Sequence, residues 1–332
     1  MQSLACSIKT NDKHKMDQKM IHTLAIAITN QCPLQCSFCC TPLRTGEIAE
    51  PMLIDIIDQA LALNLFQNIG FTGGEPFVKF DLLCRVGRYL GDHNIPWGVT
   101  TSLATISKLH DVETHVERIK NAKIHHITIS LDEEHLARRD PKIITSFIEK
   151  IISSTNINIE VSITRYPEQQ KLSLPIDVTV FQKHSNFKVS YHYVVPAGRA
   201  SSQHFKKTDN YDFCTNNSRC LLDSGLALSI YPSGDVFPCC SPYIVNKESA
   251  LKLGNVFDSP LAGIIERLSN DIFFKIIIQK GFSGLIALLA KEVAWGKYLL
   301  PTPIDQCHFC SRIANDQEVL SLIKGLLHEK FR

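Results

Sequence analysis

The sequence predicts an α/β protein, a partial (βα)6 TIM-like barrel followed by a smaller domain built from a β-hairpin and helices. Two observations predict this architecture. Apolar β-type runs alternate with helical patterns up to Val195, and after Pro196 the chain turns polar before a hairpin pattern begins. Because parallel βα units place ligands at the carboxyl ends of their strands, we expect a site in the loops that follow those ends.

The barrel is predicted from six strand-like runs, most of which precede a helical pattern. The strands are expected at 24–28, 68–72, 97–101, 124–131, 157–164 and 188–195, and helices at 53–65, 82–90 and 143–152. We therefore expect an N-terminal extension over 1–21, the barrel over 22–200 and the second domain over 201–332.

The second domain is predicted from a turn and the apolar runs on either side of it. Leu226–Tyr231 and Val236–Pro238 flank Pro232-Ser233-Gly234-Asp235, a sequence typical of a tight β-turn. Helical periodicity follows over 259–299, and a last helix is expected at about 316–328.

The composition excludes several classes of function. The 332-residue chain is 44% hydrophobic and 20% charged with net charge +2, which predicts neither nucleic acid nor an anionic membrane as partner. Residues 1–20 lack the apolar core of a secretory signal, and lysines and glycines interrupt the most apolar segment, 272–294. We therefore expect a cytoplasmic protein. Twelve cysteines in that compartment indicate metal or redox chemistry rather than disulfides.

The first cysteine cluster follows the first predicted strand. Cys32, Cys36 and Cys39 are close enough in sequence for three thiolates to bind one cubane cluster, and a set of three leaves one iron open. The alternative is a zinc site, in which Cys40 would complete a shell of four ligands. An open iron favours chemistry at the cluster.

These residues resemble the hallmark of the radical SAM superfamily, CxxxCxΦC with Φ aromatic, which Cys32, Cys36, Phe38 and Cys39 match in full. The resemblance implies a 4Fe-4S cluster whose open iron is chelated by the amino and carboxylate groups of S-adenosylmethionine. It also implies that an electron, from a flavodoxin- or ferredoxin-type reductant, cleaves this cofactor to a 5′-deoxyadenosyl radical that abstracts a substrate hydrogen. The cofactors supply the difficult chemistry, and the protein positions them.

A glycine-rich motif ends the second predicted strand. Thr72, Gly73, Gly74 and Glu75 precede Pro76; the glycines let backbone approach a ligand closely, and Glu75 offers a carboxylate to an ammonium group. A simple turn is the alternative. Resemblance to the GGEP motif of the family assigns the segment to the methionyl amino group.

Two further segments lie at strand ends. Ser130 and Asp132 resemble the SxD segment of the family, which commonly contacts the ribose or the carboxylate of the cofactor, although a helix N-cap explains the same residues without a ligand. Thr101-Ser102-Leu103 departs from the TNG often found after the third strand, so no cofactor role is predicted for it.

Arginines near these segments are candidates for the methionyl carboxylate. Arg138 or Arg139 would pair with it in a bidentate manner, and the sequence does not choose between them. Arg199 lies in a segment that resembles PxGRA, which is frequent in members with an auxiliary domain. We expect Arg199 to line the site, the alternative being a surface residue at a strand end.

A second cysteine cluster is expected in the C-terminal domain. Thirteen residues separate Cys220 from Gly234 and four separate Gly234 from Cys239, which resembles the opening of SPASM and twitch domains, and Leu253–Asn255 resembles their LGN segment. Cys214 is an alternative ligand, and structural zinc is an alternative metal. No cysteine follows Cys310 in the sequence, so one auxiliary 4Fe-4S cluster is expected rather than two. The expected ligands are Cys220, Cys239, Cys307 and Cys310.

Three functions are compatible with these motifs. The first is radical modification of a ribosomal peptide by epimerisation or cross-linking, because auxiliary domains in the family often accompany peptide substrates. The second is oxidation of a small molecule with the auxiliary cluster as electron acceptor, and the third is a non-catalytic iron–sulfur or zinc protein, which Glu75 argues against. The size and layout of the chain resemble radical SAM peptide epimerases, and this resemblance implies Cys240 as the catalytic hydrogen donor, with packing as its alternative role.

Overall fold

A parallel sheet forms the N-terminal part of the molecule. The computed structural model describes residues 21–41, 46–166, 169, 174–202, 226–244, 249–289 and 305–330. Six strands pair in chain order, each parallel to the next, which confirms the predicted α/β class. They are β1 (Ile21–Thr29), β2 (Asn68–Gly73), β3 (Trp97–Thr101), β4 (His126–Ser130), β5 (Asn158–Arg165) and β6 (Phe187–Tyr193).

Helices connect the first five strands. They are α1 (Glu50–Leu63), α2 (Phe80–Asp92), α3 (Asp111–Asn121), α4 (Glu133–Leu136) and α5 (Pro141–Ser154). The sequence patterns did not indicate α3 or α4, because α3 buries only a narrow stripe and α4 is a single turn. The start of α5 shows how the chain fixes such boundaries, since the Asp140 side chain accepts the amide of Lys142 at 2.9 Å and Pro141 begins the helix.

The two faces of the sheet differ in chemistry. Along β4 and β5, Ile127, Ile129, Ile159, Val161 and Ile163 are each at most 1% exposed and belong to the apolar core under the helices. The alternate residues of the same strands are polar and partly exposed. Because successive side chains of a strand point to opposite faces, these polar residues line the inner face of the partial barrel.

The C-terminal part begins with short strands. They are β7 (Leu226–Ile230), β8 (Asp235–Phe237) and β9 (Gly254–Asn255). Gly234 closes the turn before β8 with φ +81°, and its amide donates to the carbonyl of Tyr231 at 2.8 Å. β9 pairs antiparallel with β8, and Asn255 donates to the buried Asp235 carboxylate at 3.0 Å. The LGN segment therefore stabilises the hairpin strand that precedes Cys239.

In the described residues of this part, four helices follow the strands: α6 (Leu261–Asn270), α7 (Ile272–Leu289), α8 (Gln306–Ala314) and α9 (Gln317–Lys330). α7 changes direction at Gly281, whose φ is +63°. By its internal contacts the chain divides into two units, one of Thr23–Phe205 with Ser229–Gly234 and the other of Met1–His22, Lys206–Leu228 and Asp235–Arg332. Within the described ranges, no helix has the length and apolarity that crossing a membrane requires.

Candidate active site

The loop after β1 carries the three cysteines expected to ligate a cluster. Cys36 is buried, Cys39 is half-buried and Cys32 is exposed, and the Cys39 amide donates to the Cys36 carbonyl at 3.2 Å. Burial, followed by the charges of Asp132 and Glu134 and the other two cysteines, raises the pKa of Cys36 to about 12. Ionising this thiol requires a compensating cation, and the iron of a cluster is one.

Backbone contacts hold the end of this loop. The Arg199 amide donates to the carbonyl of Cys39 at 3.0 Å. Gly198 has φ +56°, and a Cβ added there would lie 2.4 Å from the same carbonyl oxygen, so only glycine fits. In the described ranges, no group of three or more histidine, cysteine, aspartate or glutamate side chains is arranged to hold a metal ion.

Side chains from two other strand ends hold the middle of the loop. The Ser37 amide donates to Glu134 Oε2 at 2.6 Å, and the Ser37 hydroxyl donates to the other oxygen of the same carboxylate. Tyr166, directly after β5, has its hydroxyl 2.7 Å from Ser37 Oγ. The cysteine loop is thus bound to α4 and to the end of β5.

The two glycines at the end of β2, Gly73 and Gly74, pack closely against the chain that leads into the cysteine loop. The Gly74 amide donates to the Thr29 carbonyl at 2.7 Å, and the Glu75 amide donates to the Gln31 carbonyl at 2.8 Å. A Cβ at Gly74 would lie 2.3 Å from the Gln31 oxygen, and one at Gly73, where φ is +141°, would lie 2.2 Å from the Thr29 oxygen. Side chains are therefore excluded where the Gly73–Gly74 backbone packs against the chain between β1 and the cysteines.

Glu75 is completely buried, and hydrogen bonds reach both of its carboxylate oxygens. Oε1 accepts the amide of Phe77 at 2.9 Å and the hydroxyl of Thr101 at 2.6 Å. Oε2 accepts the amide of Ser102 at 2.7 Å and also the Ser102 hydroxyl. The sequence assigned Thr101 and Ser102 no role, whereas the structure makes them the donors that fix this carboxylate. Thr72, three residues earlier, is half-buried on β2.

Asp132 directs its carboxylate to His135. Oδ1 accepts the His135 amide at 3.0 Å as the N-cap of α4, and Oδ2 lies 2.5 Å from Nδ1 of the imidazole. On its other side, Nε2 of the ring is 3.6 Å from Cys36 Sγ. Phe38, the aromatic residue of the cysteine motif, packs on the same imidazole with ring centroids 5.8 Å apart.

Of the two arginines that the sequence left open, Arg139 reaches the site. Arg138 is exposed. Arg139 donates from Nε to the His135 carbonyl at 2.9 Å and from Nη2 to the Ser130 carbonyl at 3.0 Å. Burial lowers the pKa of Arg139 to about 10, against the opposing effect of three acidic groups. These groups are Asp132, Glu75 and Cys36.

Two arginines near the cysteine loop each have one buried guanidinium nitrogen without a hydrogen-bond partner among the described residues. They are Nη1 of Arg139 and Nε of Arg199. Arg199 is also close enough to Cys32 for its charge to lower the pKa of that thiol, although burial dominates and raises it. An unpaired buried donor costs about 1–3 kcal/mol. A ligand carboxylate beside the thiols would pair them, so these residues fit the amino-acid end of S-adenosylmethionine.

The inner face of β4, β5 and β6 presents a row of hydroxyls. Ser130, Ser162 and Ser190 are paired in register across the three strands. Two residues earlier on β5 and β6, the Lys188 ammonium lies 2.8 Å from a carboxylate oxygen of Glu160. This wall therefore carries hydroxyl and charged groups that are able to form hydrogen bonds.

The second cysteine set lies in the C-terminal unit. Cys239 follows β8, while Cys307 and Cys310 lie on α8, and all three are half-buried. Cys220 and Cys214 lie outside the described residues. Cys307 occupies the first turn of α8.

A polar and aromatic group surrounds the start of α8. Asp305 caps the helix by accepting the His308 amide at 2.7 Å, and it also accepts the Tyr243 hydroxyl at 3.3 Å. The Tyr243 and His308 rings stack with their centroids 5.1 Å apart and an angle of 11° between their planes.

Cys240, the expected hydrogen donor, directly follows Cys239. The residue is exposed when all of its atoms are counted, yet desolvation of its sulfur raises the pKa of its thiol.

Two family models match the chain. The radical SAM superfamily model matches residues 26–151, and the SPASM model, an iron–sulfur cluster-binding domain, matches residues 220–280. Among similar proteins, the putative peptide biosynthesis protein YydG of Bacillus subtilis is 20% identical over 313 residues, which cover 90% of this chain and 94% of that protein. The PqqA peptide cyclase of Granulibacter bethesdensis is 34% identical over 114 residues, 33% of this chain and 29% of that protein.

A solved structure is similar over almost the whole chain. Native anSMEcpe with bound AdoMet superposes with a TM-score of 0.53 at 14% identity, covering 92% of this chain and 96% of that one. At this identity the similarity concerns the fold, and it agrees with a partial barrel of the predicted class.

Proposed function

Since this chain belongs to the radical SAM superfamily and carries a SPASM domain, we propose that it modifies a ribosomally made peptide by hydrogen abstraction. The two domains imply a 4Fe-4S cluster with S-adenosylmethionine and an auxiliary iron–sulfur cluster. When bound, the first cluster and S-adenosylmethionine supply a 5′-deoxyadenosyl radical that removes a hydrogen atom from the substrate. The relatives named for peptide biosynthesis and peptide cyclisation support the choice of a peptide.

The observation that carries the proposal is the unpaired, buried Nη1 of Arg139 beside the cysteine loop. In our assignment Arg139 binds the methionyl carboxylate and Glu75 binds the methionyl amino group. The amino group would replace one of the two hydroxyls, of Thr101 or Ser102, that now donate to Glu75. The Gly73–Gly74 backbone packs against the start of the cysteine loop, directly before Glu75. The thiols expected to hold the cluster are Cys32, Cys36 and Cys39.

We place the substrate along the inner face of β4–β6. Ser162 and Ser190 continue the row that starts at Ser130, so their hydroxyls would meet amide groups of an extended peptide. Hydroxyls donate and accept, which suits a backbone that presents both N–H and C=O groups.

For the type of modification we favour Cα epimerisation with Cys240 as hydrogen donor. The radical takes the Cα hydrogen and leaves as 5′-deoxyadenosine, and the Cys240 S–H returns one hydrogen atom to the opposite face. The resulting thiyl radical is restored by one electron from the reductant and one proton. The raised pKa of Cys240 keeps its thiol protonated at neutral pH, as such a donor requires.

The test uses anaerobically reconstituted protein reduced with dithionite. It should release 5′-deoxyadenosine from S-adenosylmethionine, and Cys32→Ala should abolish the release while Cys84→Ala, a buried cysteine of α2, keeps it. Wild-type protein that is loaded with iron yet releases no 5′-deoxyadenosine would refute the enzyme assignment.

A second test concerns the type of modification. With a peptide encoded beside the gene as substrate, reaction in deuterated water should place one deuterium at Cα. Cys240→Ala should lose that label but still release 5′-deoxyadenosine.

The auxiliary ligands need a separate test. Cys310→Ala should lower the iron content by about half, since one of two four-iron clusters is lost. The same variant should retain the spectroscopic change that S-adenosylmethionine causes in the first cluster. Full iron content in Cys310→Ala would remove this cysteine from the ligand set.

A further inference from the structure

β6 lies at one edge of the sheet. β5 is its neighbour on one side, and no described strand pairs with its other side. The Asn186 carbonyl accepts the amide of Ile159 at 2.8 Å, and the Val194 amide donates to the carbonyl of Arg165 at 2.9 Å. Because backbone groups alternate in direction along a strand, the even-numbered residues of β6 bond to β5.

The backbone groups of the odd-numbered residues of β6 face away from β5. Phe187 begins this series, and its amide donates to the carbonyl of His184 at 3.1 Å. The amides and carbonyls of Val189, Tyr191 and Tyr193 have no hydrogen-bond partner in the part of the chain that the structure describes. An extended chain is able to pair with such an edge by strand addition.

Two tyrosines lie uncovered beside this edge. In the described part of the connection that precedes β6, a short 3₁₀ helix, Val178–Phe181, packs on the start of the strand, where the Phe181 and Phe187 ring centroids are 5.5 Å apart. Toward the end of the strand, Tyr191 and Tyr193 are 55% and 56% exposed. Both are on the face opposite to Ser190, since side chains alternate along a strand.

Arg165 gives this tyrosine face a positive charge. Its guanidinium lies 5.9 Å from the ring centroid of Tyr191 and 5.0 Å from that of Tyr193, and Nη2 donates to the Tyr193 hydroxyl at 2.9 Å. Nε is buried without a hydrogen-bond partner, and none of the described carboxylates forms an ion pair with this arginine. A guanidinium that lies against aromatic rings and lacks a counter-ion favours an acidic ligand.

We propose that an extended segment of the peptide substrate, carrying an acidic side chain, adds to the edge of β6 as a further strand. The inference rests on the proposed function, in which the substrate is a peptide. The backbone of the segment pairs with Val189, Tyr191 and Tyr193, and every second side chain of the segment lies on the tyrosine face. Its carboxylate pairs with Arg165. Ser190, on the other face of the same strand, belongs to the row of hydroxyls that we assign to the substrate.

The first test changes the peptide and leaves the enzyme intact. The probe is the peptide encoded beside the gene, synthesised with a fluorescent label, and anisotropy measures its affinity for the reconstituted enzyme. A series of these peptides, each with one backbone N-methyl group, removes one N–H at a time. Since successive amides of an added strand face opposite sides, N-methylation should weaken binding about fivefold or more at every second position of one segment, with little effect between them.

The second test combines a variant of the enzyme with a variant of the peptide. Arg165→Gln removes the charge and should weaken binding of the peptide about fivefold. Replacing the acidic residue of the peptide by its amide should weaken binding to the wild type by a similar factor and to Arg165→Gln hardly at all, because the two groups act as one pair. Arg88→Gln is the matched control, since Arg88 is exposed on α2, and it should bind as the wild type does.

A second copy of this chain is the competing occupant of the edge. Tyr191→Pro removes an N–H that faces away from β5, so it costs no bond within the sheet. Sedimentation of the wild type without peptide should give a monomer. A dimer that Tyr191→Pro converts to a monomer would assign the edge to self-association and overturn the inference.

The remaining outcomes separate the inference from the proposed function. An N-methyl series without alternation would overturn strand addition and leave peptide modification intact. Equal losses from the acidic replacement in the wild type and in Arg165→Gln would overturn the pairing with Arg165. Alternation in an iron-loaded enzyme that releases no 5′-deoxyadenosine would contradict the proposed function alone, and a wild type that binds no peptide would contradict both.

Discussion

Thr101 donates its hydroxyl to Glu75 Oε1 at 2.6 Å, which joins the end of β3 to the motif that follows β2. Ser102 supplies two more donors to the other carboxylate oxygen. Burial of an ionised carboxylate costs roughly several kcal/mol unless hydrogen bonds replace the lost water. The hydroxyls of Thr101 and Ser102 therefore replace the water that the Glu75 carboxylate loses in the core.

Replacing Thr101 by valine should destabilise the protein, because Oε1 loses one donor in a place that water does not reach. We expect the free energy of unfolding to fall by about 1–3 kcal/mol. Thr100→Val is the control, since Thr100 is an exposed neighbour on the same strand, and its effect should stay within about 0.5 kcal/mol. Urea unfolding of both variants gives the comparison, and equal losses would argue against a special role for Thr101.

The link between Thr101 and Glu75 shows what the sequence could and could not predict. Strand positions followed from apolar runs, and the strand-end location of Glu75 followed from the βα pattern. The partners of Glu75 depend on which strand lies next to β2 and in which register, and this is a property of the assembled sheet. A motif search on one segment does not contain that information.

The choice between Arg138 and Arg139 has a similar physical origin. Both follow α4, and neighbouring residues in such a turn point in different directions. Arg139 is anchored by the carbonyls of His135 and Ser130, which belong to two different elements. Likewise, both interpretations of Asp132 were available from sequence, and only the fold revealed that the N-cap also holds an imidazole next to Cys36.

Arg139→Met should weaken binding of S-adenosylmethionine, because the methionyl carboxylate would lose its charged donor. Hydrogen bonds to charged groups contribute about 1.5–3 kcal/mol, so we expect the dissociation constant to rise roughly 10- to 100-fold. The neighbouring variant Arg138→Met should bind as the wild type does, since Arg138 is exposed. Calorimetric titration of reconstituted protein measures both, and the reverse pattern would assign the carboxylate to Arg138.

Alanine at two glycines of the β2 region should have opposite effects. Gly74→Ala places a Cβ 2.3 Å from the Gln31 carbonyl, so the cysteine loop must shift, at a cost of about 1–3 kcal/mol in folding. Gly70→Ala, within β2 itself, meets nothing within 4 Å and should stabilise the strand by about 0.5–1 kcal/mol. Denaturant unfolding checks the signs, and the iron content after reconstitution should fall only in Gly74→Ala.

The ion pair on the inner face of the barrel should make stability depend on pH. Burial acts to raise the pKa of Glu160, but hydrogen bonds from Lys188 and Ser190 outweigh it and hold that pKa below its ordinary value of 4.5. A lowered pKa contributes stability above the pKa of the unfolded chain, and this contribution is lost as pH falls through the folded pKa. In Lys188→Met the pKa of Glu160 should rise, because burial is then opposed by fewer partners.

The difference in unfolding free energy between wild type and Lys188→Met should therefore be largest at pH 7 and shrink toward pH 4. Urea unfolding at both pH values measures it. Lys150→Met is the control, because Lys150 lies 3.4 Å from Glu113, which is 74% exposed, and such surface pairs contribute little at any pH. A difference for Lys188→Met that is the same at both pH values would mean that Lys188 acts through packing of its side chain, since only its charge on Glu160 predicts the loss in acid.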